Sequence, residues 1–379
     1  MKKNLFIKST LILILSGFLT KMLGFIIKVV YTRIIGEYGI SLFTIATPTY
    51  SLLLTISTLA IPISISKLVS ENKGRSIRIL TSATFLILSI NFLLILIIFL
   101  TKDFIATNLL KEPLASPILM AFALTLPFVS ISAVLKGYFA GKQNMVPHAT
   151  SNILEQIVRL IIIVTILPIL MKKSVMYAVL GLILLTILSE ISSIIVFLFF
   201  LPKHINYKTN LLPSKKHTKD ILNISLPTVS SRIIGNIGYF LEPIILTNLL
   251  LFSGYTNAYI LREYGAYNAY SLALLTMPGF FIAAISTSLL PEISKFHGER
   301  NSSMVKRRIK QSLLFALLIG TFFSFIIFTF RDKLLFTLYN TTNGSDYIKI
   351  LAPFFVLFYL EGVLTSALQA LGHAKITMN

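Results

Sequence analysis

The sequence has no cysteine, no tryptophan and few charged residues, and each shortage narrows what the chain can be. Without cysteine there are no disulfides and no thiolate metal sites. Without tryptophan, any aromatic belt at a membrane interface has to use the 15 tyrosines and the phenylalanines. Charged residues make up 13% of the chain and hydrophobic residues 55%, whereas a soluble domain has about 25% charged residues. Most of the chain is therefore expected to lie in a bilayer.

Acidic residues are also scarce. The chain has 14 aspartates and glutamates and 34 lysines and arginines, which gives a net charge of +20. Such a charge is common in nucleic-acid-binding proteins, but here the cations lie mainly in short loops between apolar stretches, as membrane insertion favours. They are more than twice as frequent in the N-terminal segment and alternate loops as in the opposite loops. We predict a multi-pass plasma-membrane protein with a cytoplasmic N-terminus and no nucleic-acid partner. The first apolar stretch is too long for a cleavable signal and is expected to be retained.

The long apolar stretches predict the fold class. A membrane-spanning helix needs about 20 apolar residues, and by this measure the sequence contains about ten spans. They cover residues 9–35, 40–66, 79–101, 115–140, 148–171, 175–201, 221–251, 265–291, 311–330 and 348–371. The prediction is an all-α integral membrane protein.

Short motifs recur in the same order in the two halves of the chain, which indicates an internal duplication. The pairs include GEYG (36–39) with REYG (262–265), IPISISK (61–67) with LPEISK (290–295), and AGKQNMVP (140–147) with LGHAKITM (371–378). Six spans separate equivalent positions, so the halves should be related by a pseudo-twofold axis along the membrane normal. We predict a six-helix lobe at 1–201, a basic cytoplasmic linker at 202–220, and a second lobe at 221–379 that stops after its fourth helix.

Lysines and an arginine inside the spans predict a cationic cavity. Lys21 and Lys28 are seven residues apart and therefore lie roughly on one face of the first span. Arg232 lies in the opening turns of the seventh span, the equivalent helix of the second half. Charges at bilayer depth are costly and usually face a wet cavity. We predict that these three residues receive an anionic headgroup such as a pyrophosphate. The alternative is that the lysines extend to the membrane interface.

Carboxylates inside the spans suggest two further roles. Glu155 and Arg159 are four residues apart on one helix, a spacing at which they can pair, and we interpret them as a structural ion pair. Glu242 and Glu361 have no basic partner nearby in sequence. Such buried carboxylates either hold a proton or bind a cation, so both are candidates for coupling to H⁺ or Na⁺. The alternative for both is a protonated, hydrogen-bonded side chain in helix packing.

Prolines and the lack of catalytic motifs complete the prediction from the residues. Pro62 and Pro278 are hinge candidates because proline removes a helical hydrogen bond, although tolerated packing is the simpler interpretation. The sequence has no Gly-rich phosphate loop, no HExxH motif and no recognisable Ser/His/Asp set. We expect no enzymatic activity, no metal site and no cofactor beyond a coupling ion.

Three stretches carry a resemblance to a known family. They are FIKSTLILILSGFLTKMLGFIIKVVYTRIIGEYGISLF (6–43), AIPISISKLVSENKG (60–74) and KGYFAGKQNMVPHATSNILEQIVRL (136–160). They resemble the stage V sporulation protein B family, in the polysaccharide-exporter group of the multidrug/oligosaccharidyl-lipid/polysaccharide exporter superfamily. The resemblance implies two six-helix lobes, alternating access of a central cleft, and flipping of undecaprenyl-pyrophosphate-linked sugars, here a peptidoglycan or spore-cortex precursor.

The resemblance transfers only in part to individual residues. The related lipid II flippases have an arginine-rich cavity on the first, second and eighth helices. Lys21 matches one cation of the first helix, whereas the other falls at Ile27, with Lys28 adjacent. Ala273 occupies about the place of the eighth-helix arginine. In related antiporters the helices equivalent to those of Glu242 and Glu361 carry the cation site, while the helices after the tenth have no counterpart in this sequence.

Three functions are consistent with these observations. The first is a flippase for an anionic polyprenyl-linked saccharide, with membrane lipids as further partners. The second is an H⁺- or Na⁺-coupled drug antiporter of the same superfamily, suggested by Glu242 and Glu361. The third is a scaffold that transports nothing and binds cell-wall synthesis proteins.

Overall fold

The computed structural model describes residues 2–71, 76–201 and 213–371, and within these ranges the regular structure is entirely helical. The predicted all-α fold class is confirmed. Most of the predicted linker, residues 202–212, lies outside the described residues, as does most of the last repeated motif, 372–378.

Up to residue 201, the described residues contain six α-helices. They are α1 (Lys2–Thr58), α2 (Ile61–Glu71), α3 (Ser76–Phe104), α4 (Ala115–Gly141), α5 (Val146–Met171) and α6 (Val175–Phe200). A single turn of π-helix, Ile105–Leu109, extends α3. Local sequence explains several helix starts: Pro147 occupies the first turn of α5, where its missing N–H costs nothing, and the Ser174 hydroxyl caps α6 by accepting from the Tyr177 amide.

From residue 213 to residue 371, the described residues contain six further α-helices. They are α7 (Lys215–Phe252), α8 (Asn257–Gly265), α9 (Leu272–Thr276), α10 (Gly279–Gly298), α11 (Ser302–Tyr339) and α12 (Ser345–Ala370), with a π-helical turn at Ala266–Ser271. The Asn301 side chain caps α11 by accepting from the Met304 amide, and Asn340 ends the helix in the left-handed conformation.

The membrane-spanning helices follow the predicted apolar stretches. Within the described residues, eight helices are long and apolar enough to cross a bilayer, or nine if the bent pair Asn257–Thr276 and Gly279–Ser286 is one span. This count takes Leu15–Glu71 as one span, although it contains most of the first predicted span and all of the second. The protein is therefore a multi-pass membrane protein.

Breaks interrupt several of the long apolar helices, and three of them lie in or near motifs that the sequence singled out. Gly36, in the GEYG motif, has φ 75° and ψ −179° and divides α1 into two helical segments. Leu59 and Ala60 have positive φ and separate α1 from α2, directly before Pro62. A bend of 49° surrounds Pro278. The two hinge candidates therefore lie at helix breaks, and their role as hinges stays a prediction.

Contacts among the described residues group them into two compact units. Unit 1 contains the residues up to Ser16 together with Val30–Gly265, and unit 2 contains Gly17–Val29 together with the residues from Ala266 onward. The helices α7 and α8 thus group with unit 1. The lobe boundary that the repeat suggests, at 202–220, stays a prediction.

Each unit has its own apolar core. In unit 1, Ile61 and Ile65 of α2 are buried with Tyr138 of α4 and Phe197 of α6. In unit 2, α11 and α12 approach closely at Gly320, which has no side chain. A Cβ there would lie only 2.8 Å from the Tyr359 ring. The Tyr359 hydroxyl donates a hydrogen bond to the carbonyl of Leu275, which satisfies a polar group that would otherwise be costly to bury.

Candidate functional site

Unit 2 contains a cavity of about 720 Å³ that has two of the three predicted cations in its wall. Lys21 and Lys28 both line it. Seven residues of helix correspond to two turns, or about 10 Å, so the two ammonium groups lie at different depths on one face. Lys28 is half-buried and Lys21 is exposed. Among the described residues neither lysine has an ion-pair partner, so both positive charges remain available to a ligand.

The rest of the cavity wall comes from α9, α10 and α12. It is formed mainly by aromatic and small side chains, with hydroxyls from Thr276, Ser286 and Thr365 in addition to that of Tyr359. The Ser286 hydroxyl is buried and has no hydrogen-bond partner among the described residues. Such a group is uncommon and indicates a position where a ligand or water can bind. Phe25, Phe280 and Phe358 give the cavity an apolar surface beside its charges.

A carboxylate also faces this cavity. Glu361 of α12 lines the same cavity as Lys21 and Lys28, and it forms no ion pair among the described residues. Two ammonium groups and one carboxylate leave the cavity one positive charge in excess when all three are ionised. The arrangement can hold an anion at the lysines and a proton or cation at the carboxylate.

The other predicted residues of the cavity lie elsewhere. Arg232 is on α7 in unit 1, with its side chain exposed, and is not one of the residues that line the cavity. Glu242 is on the same helix and half-buried. Their assignments, to the anion site and to the coupling site respectively, stay predictions.

A second set of charges forms a buried cluster in unit 1. Arg159 Nη2 lies 3.0 Å from Glu155 Oε1, across one helical turn, as their spacing suggested. Lys136 of α4 approaches the other carboxylate oxygen, with Nζ 3.3 Å from Oε2. Glu190 of α6 is the second carboxylate, 3.6 Å from Arg159 Nη2, and its Oε2 is buried without a partner among the described residues. Two cations and two carboxylates make the cluster neutral overall.

The repeated motifs GEYG and REYG are in contact with each other, which sequence reasoning did not anticipate. Arg262 Nε lies 2.9 Å from Glu37 Oε1. Gly265, the last residue of REYG, faces Ser41, and a Cβ there would lie 2.1 Å from the serine oxygen. The duplication itself was the signal: a motif that occurs once in each half is a candidate for contact near a pseudo-twofold axis.

The ionisable residues offer no metal site in the part of the chain that the structure describes. No group of three or more histidines, aspartates and glutamates there is arranged to hold a metal ion. The chemistry of the cavity in unit 2 is therefore that of lysine ammonium groups, hydroxyls and one carboxylate.

Known proteins are similar to this chain in sequence and in fold. Residues 6–297 match the polysaccharide biosynthesis protein family, and residues 243–379 match the MatE family. Stage V sporulation protein B of Bacillus subtilis is 35% identical over 390 residues, which cover 100% of this chain and 75% of the relative. The lipid II flippase MurJ of the same organism is 22% identical over 338 residues, covering 81% of this chain and 61% of the relative.

Solved structures share the helical arrangement. The inward-facing form of a multidrug resistance MATE family transporter of the MOP superfamily matches with a TM-score of 0.70 and 16% identity, over 94% of this chain and 82% of that one. The outward-facing form of such a transporter matches with a TM-score of 0.66 and 14% identity, over 98% of this chain and 84% of that chain. At these identities the likeness establishes the fold.

The fold and these similarities define a multi-pass membrane protein of the multidrug/oligosaccharidyl-lipid/polysaccharide exporter superfamily. Within that superfamily, the chain belongs to the polysaccharide biosynthesis protein family. The resemblance stated from the sequence is confirmed.

Proposed function

We propose that the protein flips an undecaprenyl-pyrophosphate-linked saccharide, a lipid II-like precursor of peptidoglycan or spore cortex, across the plasma membrane by alternating access. The observation that supports this most directly is the presence of Lys21 and Lys28 in one cavity without ion-pair partners among the described residues. A pyrophosphate carries several acceptor oxygens, and charge-assisted hydrogen bonds to them are among the stronger ones in proteins. The name of the flippase relative, which specifies lipid II, agrees with such a substrate.

The cavity also suits the rest of such a molecule. The aromatic surface formed by Phe25, Phe280 and Phe358 offers rings against which sugars and the first prenyl carbons can pack. The Ser286 hydroxyl, which lacks a partner in the described structure, is available to a phosphate or sugar oxygen. A volume of about 720 Å³ is in the usual range for a binding cavity and fits the headgroup while the prenyl chain stays in lipid.

Glu361 supplies the proposed coupling. Because it shares the cavity with both lysines, uptake of a proton or Na⁺ at its carboxylate increases the net positive charge that the pyrophosphate meets. Binding of the ion and binding of the anion then favour each other. The same carboxylate, together with the MatE match, supports the second candidate function, an ion-coupled antiporter of small organic cations.

The test is flipping of a fluorescent undecaprenyl-pyrophosphate saccharide in proteoliposomes that contain the full chain. We expect Lys28→Ala to reduce the rate at least tenfold, since one charge-assisted hydrogen bond contributes about 1.5–3 kcal/mol. Lys28→Arg should retain most of the activity. The matched control is Lys173→Ala, an exposed lysine in the loop between α5 and α6.

The outcomes separate the three functions. If flipping persists in Lys28→Ala and in Lys21→Ala, the cavity of unit 2 takes no part in the mechanism. Absence of flipping by the parent, with ion-driven efflux of an organic cation that depends on Glu361, would establish the antiporter instead. Absence of both activities would favour the scaffold.

A further inference from the structure

Two stretches that the sequence singled out are in contact in unit 1. They are IPISISK (61–67) on α2 and KGYFAGKQNMVPH (136–148), which runs from α4 into α5. Glycines bring the helices together: a Cβ on Gly137 would lie 2.7 Å from the carbonyl oxygen of Pro62, and one on Gly141 would lie 2.7 Å from that of Ser66. Two glycines four residues apart thus create a flat helix face on which α2 rests.

Beside this contact is a cavity of about 560 Å³ with a basic lining. Three cationic or titratable nitrogen side chains line it, one from each of the three elements: Lys67, Lys136 and His148. Ser66, Ser70 and Gln143 add neutral hydrogen-bonding groups. The residues that line it include no carboxylate, in contrast to the cavity of unit 2.

The lining groups keep donors free for a ligand. Lys67 is exposed and has no ion-pair partner among the described residues. The Lys136 ammonium has three N–H donors, of which Glu155 takes one. The Asn152 side-chain amide lies 3.3 Å from His148 Nδ1, and if it donates there, His148 carries its proton on Nε2 and can donate from that atom.

Glu155 fixes the position of Lys136 and leaves it donors for a ligand. The carboxylate is buried, with a side chain 7% exposed, and it is shared between Lys136 and Arg159. Arg159 also pairs with Glu190, so the cluster is neutral overall, and Lys136 keeps the two N–H donors that Glu155 does not take. A ligand anion there would meet a positioned ammonium group, which reduces the entropy lost on binding.

The position of the cavity near the ends of its helices indicates which level of the bilayer it faces. Lys67 is near the end of α2, Lys136 is in the last turns of α4, and His148 is in the first turn of α5. Ends of membrane-spanning helices lie at the level of lipid headgroups. The loops on this side are the lysine- and arginine-rich ones, and the positive-inside rule assigns them to the cytoplasm.

We propose that this cavity is a binding site for the phosphate or pyrophosphate group of a membrane lipid, separate from the cavity in unit 2. Lys67 and Lys136 neutralise the phosphate oxygens, and His148, Ser66 and Gln143 donate further hydrogen bonds. The shared chemistry admits two sources, a polyprenyl pyrophosphate or an anionic phospholipid. The proposal concerns binding and does not depend on transport.

Binding can be measured by native mass spectrometry on the full chain carrying Lys21→Ala and Lys28→Ala, so that the cavity of unit 2 contributes little. The probes are undecaprenyl pyrophosphate and phosphatidylglycerol, each against phosphatidylcholine. We expect Lys67→Ala to weaken retention of the bound lipid about tenfold and His148→Gln to weaken it less. Lys136→Arg, which keeps the charge beside Glu155, should bind almost normally.

The control is Lys142→Ala, a nearby cation outside the cavity lining whose ammonium lies 5.7 Å from the centre of the Tyr138 ring. Loss of undecaprenyl pyrophosphate alone in Lys67→Ala would support the site and identify the prenyl lipid as its ligand. Loss of both lipids would support the site as a general phosphate site. Equal binding by Lys67→Ala, His148→Gln and the parent would overturn the proposal, as would an equal loss in Lys142→Ala.

Discussion

The two units differ in whether their charged side chains inside the membrane have ion-pair partners. In unit 1, Glu155 is buried and has a cation at each of its two oxygens. In unit 2, Lys28 is half-buried and has no ion-pair partner among the described residues, although Glu361 shares its cavity. Loss of one partner of a buried ion pair destabilises the fold, whereas an unpaired charge at a cavity lowers stability and is available to a ligand. We expect this difference to separate structural charges from ligand-binding ones.

The largest effect is expected from removing the shared carboxylate of unit 1. Glu155→Ala leaves Arg159 and Lys136 partly buried with only Glu190 to offset them, and loss of one partner of a buried pair costs about 3–5 kcal/mol. The thermal unfolding midpoint in detergent should fall steeply. Asp103→Ala removes an exposed ion-pair partner and serves as the control. Equal midpoints for the two variants would show that the cluster in unit 1 does not stabilise the fold.

A smaller loss should follow from a methyl group at the contact of α2 with α4. Gly137→Ala places a Cβ within 2.7 Å of the Pro62 backbone, and such overpacking costs about 1–3 kcal/mol. Gly17→Ala in unit 2 has no atom within 4 Å of its Cβ and should stabilise α1 by up to about 1 kcal/mol. Unfolding midpoints that shift in opposite directions would confirm this. If Gly137→Ala left the unfolding midpoint unchanged, α2 would be able to move away from α4 without a loss of stability.

Glu112, in the loop between the π-helical turn and α4, allows a test by pH. Burial raises the pKa of this carboxyl, while its hydrogen bond from the Leu114 amide opposes the rise. The folded state therefore binds the proton more tightly than the unfolded chain, and the stability this provides is lost as the pH rises through the folded pKa. Glu112→Gln should match the parent near pH 4 and unfold at a slightly higher temperature near pH 7. If the difference between the unfolding temperatures of the variant and the parent shrank as the pH rose, the raised pKa of Glu112 would be contradicted.

The smallest effect on stability should come from the lysine at the cavity of unit 2. Lys28→Met removes a charge without an ion-pair partner and should leave the unfolding midpoint unchanged or raise it, while the flipping rate falls. Lys136→Met, the matched change in unit 1, should lower the midpoint because Glu155 loses a partner. If both variants were equally destabilised, the distinction between structural and ligand-binding charges would fail.

The fold was largely predictable because the bilayer imposes a simple rule. About 20 apolar residues form each span, so hydropathy located the helical segments. The break between α1 and α2 was not predicted, since positive φ at Leu59 and Ala60 has no signal in those residue types. The grouping of α7 with unit 1 depends on tertiary contacts that periodicity does not report.

The site was predictable only where its residues share a helix. Lys21 and Lys28 were expected on one face from their spacing, and they line one cavity. Glu155 and Arg159 follow the same rule at four residues. Lys136 reaches Glu155 from another helix, and Lys67, Lys136 and His148 line one cavity from three helices, so no local spacing could indicate either arrangement.

The break at Gly36 has a consequence for how the chain is made. Without it, the 57 residues of α1, Lys2–Thr58, would form a rod of about 85 Å, nearly three times the hydrocarbon thickness of a bilayer. A backbone at φ 75° and ψ −179° is open essentially to glycine alone, and nothing lies within 4 Å of a Cβ there, so conformation and not space requires this residue. During synthesis, this one residue lets the first hydrophobic segment end and the next begin along a different axis, so that the two apolar segments need not enter the bilayer as one rod.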